Sequence, residues 1–123
     1  MKNKSTDTNI ISKKSVEQYE LLTPLLESTY REMSELSKKK PDTLLNTYKI
    51  KMINRILEPL KELLKNETII QYLDILDTDD LPSNSDVVII LSQYIEAKKM
   101  FRDKYSTEDD DIIAGFSWKW NIK

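Results

Sequence analysis

The sequence predicts an all-α fold: a small up-and-down helical bundle of three long helices and one short one, with an extended, strand-like C-terminal tail. Three observations carry this. Apolar residues recur at steps of three, four and seven along three long segments, the period of a helix with one buried face. Only one glycine, Gly115, and four prolines occur in 123 residues, so few positions suit a left-handed turn. Near the end the pattern changes to a period of two.

Residues 1–14 are polar and basic and read as a flexible N-terminal arm, with Ile10 and Ile11 placed to staple onto the first helix. The bundle domain follows over 15–105. In 15–40, Val16, Tyr19, Leu22, Leu26, Met33 and Leu36 share a face, with Leu25 and Tyr30 beside them. Pro24 leaves two options: a turn followed by a helix capped by Thr23, or one helix kinked near Leu22. Lys38, Lys39 and Lys40 suit a helix C-terminus, and Pro41 suits the next start.

Residues 42–65 form the clearest amphipathic segment. Leu45, Tyr48, Met52, Ile53, Ile56, Leu57, Leu60, Leu63 and Leu64 make a wide stripe, and Pro59 is expected to kink it. A shorter helix is expected over 67–76, with Ile69, Ile70, Leu73 and Leu76 inward, then an acidic loop over 77–85. Ser83 or Ser85 caps the last long helix, 86–105, where Asp86 favours the positive end. Its inward residues are Val87, Val88, Leu91, Tyr94, Ile95, Phe101 and Tyr105.

The tail, 106–123, is acidic through Asp109, Asp110 and Asp111. Phe116, Trp118, Trp120 and Ile122 then alternate with polar residues, the pattern of a half-buried strand. A lone strand leaves its backbone unpaired, so it lies along a partner, a second copy or its own bundle. The concentration of aromatics marks these four residues as the candidate partner-binding set.

The composition excludes several chemistries. No cysteine means no disulfide, thiolate metal site or cysteine nucleophile, and no histidine removes the usual general base near neutral pH. One glycine does not make a phosphate loop. Nor can the Arg–His motif of helical-bundle nucleases of the HEPN type be met. The 19 basic and 21 acidic residues give a net charge of −2, without the broad basic excess of a nucleic-acid binder. The longest apolar run, 87–91, is far short of the ~20 residues of a membrane span. No export segment is evident, so no membrane association and a cytoplasmic location are expected.

Three local patterns invite function. Asp77, Asp79 and Asp80 suggest a cation loop, but Pro82 stands where an EF-hand needs glycine, and Val88 where it needs glutamate. Asp86 with Glu96 and Lys98 resembles in spacing the Asp…Glu-x-Lys core of magnesium-dependent nucleases. On one helix, however, the first two lie about 15 Å apart. Asp109 to Ile113 resembles the acidic-then-apolar tip of bacterial single-stranded-DNA-binding proteins; that tip is terminal, whereas here ten residues follow.

Two lysine patches, one of Lys38, Lys39, Lys40, Lys49, Lys51 and Arg55 and one of Lys98, Lys99, Arg102 and Lys104, offer phosphate contacts. The six tyrosines lie on apolar stripes and are expected to pack in the core.

The expectation is therefore a non-enzymatic protein–protein interaction or assembly module, a small adaptor or regulatory subunit. It acts through its helical surface and aromatic tail, on a protein partner or on itself, with no cofactor or metal. A nucleic-acid-associated module using the lysine patches is the alternative, and a metal-dependent hydrolase the remote one.

Overall fold

The computed structural model describes residues 9–108 and 118–123. Its elements are α1 (Lys13–Lys39), α2 (Thr47–Leu63), a 3₁₀ turn (Thr68–Tyr72), α3 (Asn84–Tyr105), β1 (Ser106–Glu108) and β2 (Trp118–Trp120). This is the all-α bundle of three long helices, closed by a short β hairpin. No helix among the described residues is long and apolar enough to cross a membrane.

α1 starts where the Ser12 hydroxyl accepts the Ser15 N–H at 3.1 Å. It runs unbroken through Pro24, and Thr23, one candidate cap, is buried inside it. Pro24 frees the Glu20 carbonyl, and both residues lie on the exposed side of the helix. Val16, Tyr19, Leu22, Leu26 and Met33 are buried and serve both neighbours, because α1 packs on α2 and on α3.

α2 begins later than its apolar pattern implies. The expected helical start near 42 is instead stitched to the segment that enters α3. Leu45 N–H donates to the Pro82 carbonyl at 2.9 Å, and Asn84 N–H to that of Thr43 at 2.9 Å. Leu45 is therefore buried from a loop, and the Asn46 side chain caps the helix through Lys49 N–H at 2.8 Å. On the other side of this stitch, Ser83 and Asp86 form a reciprocal capping box that starts α3.

The expected short α-helix is a five-residue 3₁₀ turn leading into an extended stretch. Ile69, Ile70 and Thr68 are β-branched and resist helix. Leu73 and Leu76 are buried all the same, and the backbone they bring inside is paired by side chains. Asn54, buried on α2, donates to the Leu76 carbonyl at 2.9 Å and accepts its N–H at 3.0 Å. The Tyr94 hydroxyl donates to the Asp74 carbonyl at 2.8 Å. Glu67 binds the Tyr105 hydroxyl at 2.9 Å and Lys104 Nζ at 3.1 Å. Lys98, buried on α3, reaches Glu27 of α1 at 2.6 Å.

β1 continues directly from α3 and pairs antiparallel with β2, Ser106 opposite Trp120. Beyond β2 the chain also pairs with the N-terminal segment. Ile11 N–H donates to the Asn121 carbonyl at 2.9 Å, and Lys123 N–H to that of Ile11 at 3.2 Å. Ile11 is buried here, as the expected staple requires, while Ile10 is exposed.

Asn54→Ala leaves the buried N–H and C=O of Leu76 without partners. A loss of about 2–4 kcal/mol is expected, measured by urea unfolding. A change below about 0.5 kcal/mol, the range of ordinary surface substitutions, contradicts this role for Asn54.

Candidate interaction surface

Helix α2 carries more apolar surface than its core contacts use. Its buried residues are Ile50, Ile53, Asn54, Leu57 and Leu60. A second row, Tyr48, Met52, Ile56, Pro59 and Leu63, steps by four, four, three and four along an adjoining face. Tyr48 is 72% exposed and Met52 47%, while the other three are half-buried. The wide stripe in the sequence is thus two stripes, one inward and one outward. For Tyr48 and Met52 this corrects the expected core placement, and Tyr72 is likewise exposed.

α1 presents a matching row. Leu21, Leu25, Thr29, Glu32 and Leu36 fall on one face, with Leu21 and Leu25 exposed. Between the two rows lies a groove of about 420 Å³. Its floor is Met33 and Ile53, both buried, and its walls include Leu36, Met52 and Ile56. Glu32 stands on the α1 wall and Lys49 on the α2 wall. Neither forms an ion pair among the described residues. An apolar floor with unlike charges at the rims suits a protein side chain or helix face better than a phosphate chain.

The tail residues are dispersed by comparison. Trp120 packs on its own bundle, edge-on to Tyr19 at 4.9 Å and tilted against Phe101 at 6.4 Å. Its indole N–H points to Glu20 Oε2 at 3.4 Å. The backbone from Trp120 to Lys123 is paired on both sides, to β1 and to the segment at Ile11. Ile122 is half-exposed at that bridge. Trp118 pairs through its backbone with Glu108. Phe116 and the acidic run from Asp109 to Ile113 lie outside the described residues.

The other sequence patterns do not converge. Asp86, Glu96 and Lys98 share one unbroken helix, with Asp86 occupied in the capping box and Lys98 turned to Glu27. Asp77 Oδ1 accepts the Asp79 N–H at 2.8 Å, a local turn. Among the described residues no group of three acidic side chains is placed to hold a metal. In the second lysine patch, Lys98, Lys99, Arg102 and Lys104 each face a carboxylate. The first patch divides, because Lys49 lines the groove while Lys51 and Arg55 lie on another face of α2.

The two most perturbed phenols belong to the core. Burial pushes the Tyr19 phenol up to about 12 and also raises that of Tyr94. Glu67 raises Lys104 through a hydrogen bond.

No family model, curated protein or solved structure matches this chain. The shape and chemistry of its surface are therefore what bear on its function.

The packing of Trp120 separates a strap from a free anchor. Trp120→Ala is expected to lower stability by about 2 kcal/mol, and Ile122→Ser by less than about 0.5, both by urea unfolding. Equal, negligible effects contradict the strap and leave Trp120 available to a partner.

Proposed function

We propose that this chain is a non-enzymatic protein–protein interaction or assembly module whose working surface is the outer face of the α1–α2 hairpin. The observation that carries the reading is the second apolar row on α2. A helix on the surface of a globular domain needs one apolar sector of about 100° or somewhat more. α2 has that sector filled by its own core and then continues apolar through Met52 to the exposed ring of Tyr48. Exposed apolar surface that is continuous and flanked by charge is the usual mark of a protein contact.

The groove supports the same reading, because it offers a protruding side chain a lined place to go. Tyr48 and Met52 are anchor types, the first a large ring that buries much area and the second an adaptable thioether that fills irregular gaps. The tail takes a structural part in this reading, closing α1 against α3 through Trp120.

The test is site-specific photo-crosslinking in the cells that make the protein, with a benzophenone side chain in place of Tyr48 or, as control, of exposed Gln93 on α3. Position 48 is expected to yield a discrete protein adduct and position 93 none. Equal adducts at both, or none at 48, contradict the reading.

A further inference from the structure

We infer that the partner seated on the α1–α2 face is a second copy of this chain, related by a two-fold axis running along the groove. The inference rests on the reading of that face as the interface and adds the identity of its occupant.

The charges at the rims select this occupant. Glu32 and Lys49 stand on opposite walls of one groove. The groove is lined by residues 28–36 of α1 and 49–56 of α2, and seven residues join the helices, so they run antiparallel. Glu32 is thus level with the middle of the α2 stretch, about one turn from Lys49. A two-fold along the groove keeps each residue at its height and exchanges the walls. It lays α1 of one copy over α2 of the other, bringing each Glu32 to the Lys49 of its mate. Two interchain ion pairs form from residues that have no ion pair among the described residues of the chain. A partner of uniform charge satisfies only one rim.

Shape agrees with charge. A two-fold interface must carry both its projections and its receptors on one patch. Here Met52 lines the groove itself and is half-exposed, and Tyr48 stands exposed one turn before it in the same row. The resulting arrangement is a four-helix bundle with antiparallel neighbours.

The size reaches the low end of the range for specific interfaces. α2 has 17 residues and is about 25 Å long, and two helices side by side are about 20 Å wide. The projected area is on the order of 500 Å², and its accessible surface is larger. A standard interface removes about 800 Å² from each partner.

The test is the mass of the full-length protein by light scattering and sedimentation across a range of concentration. Twice the 14.5 kDa chain mass is expected. Lys49→Glu and Glu32→Lys, each alone, set like charges together at both pairs and should weaken self-association about ten-fold. Mixing the two variants pairs each acidic rim with a basic one and should restore the dimer at wild-type strength. A wild-type chain that stays at 14.5 kDa up to several hundred micromolar overturns the inference. So does a mixture no stronger than its components. An adduct at position 48 containing a different protein, with this chain monomeric, removes the second copy and leaves the interaction reading standing.

Discussion

A stretch of backbone inside the bundle sets the terms for the rest of the fold. The two main helix interfaces both use α1, against α2 and against α3. The space between α2 and α3 is filled by the connector, which buries Leu64, Leu73 and Leu76. Non-helical backbone taken out of water must find partners or cost several kcal/mol. Here the partners are side chains, with Asn54 serving both polar groups of Leu76 and Tyr94 serving the carbonyl of Asp74. Asn54 therefore sits on the inward face of α2 among Ile50, Ile53 and Leu57, and that face is committed to the connector and to α1. What remains apolar on α2 faces outward.

The same logic explains the tail. Three short backbone runs meet at the end of α3: β1, the chain from Trp118 to Lys123, and the segment at Ile11. Each is too short to hold alone. They are fixed by aromatic packing of Trp120 on Tyr19 and Phe101, which ties the tail to α1 and α3 together. The alternation that marks the tail as a strand is therefore used, at Trp120, to close the chain on itself.

Much of the fold was legible in the sequence because helix periodicity and caps are local. The three long helices, a serine cap at 83 or 85 and the burial of Leu73 and Leu76 all follow from spacing and residue type, and the structure selects Ser83. The 3₁₀ turn in place of a short helix has a local cause in its β-branched residues, whereas the other misplacements depend on where distant segments lie. Residues 42–46 read as helix because nothing near them announces the hydrogen bonds to Pro82 and Asn84. Tyr48 and Met52 read as core because an amphipathic pattern reports apolar faces without saying how many neighbours exist to cover them. The width of the α2 stripe was visible, but only the position of α1 and the connector divides it in two. Whether the tail returned to its own bundle was likewise undecidable from alternation alone, since an unpaired strand edge accepts any partner.

In the proposed working state the hairpin face is covered by protein. Two methionines report on it with a built-in reference, because Met52 lies on that face at 47% exposure and Met100 on α3 at 49%. Thioether oxidation follows access to the oxidant. The most direct measurement is the relative rate of oxidation of Met52 and Met100 by dilute peroxide, read by peptide mass spectrometry in intact cells and in unfolded protein. Oxidation of Met52 several-fold slower than Met100 in cells, and equal rates once the chain is unfolded, is the predicted result. Equal rates in both states would contradict a covered hairpin face.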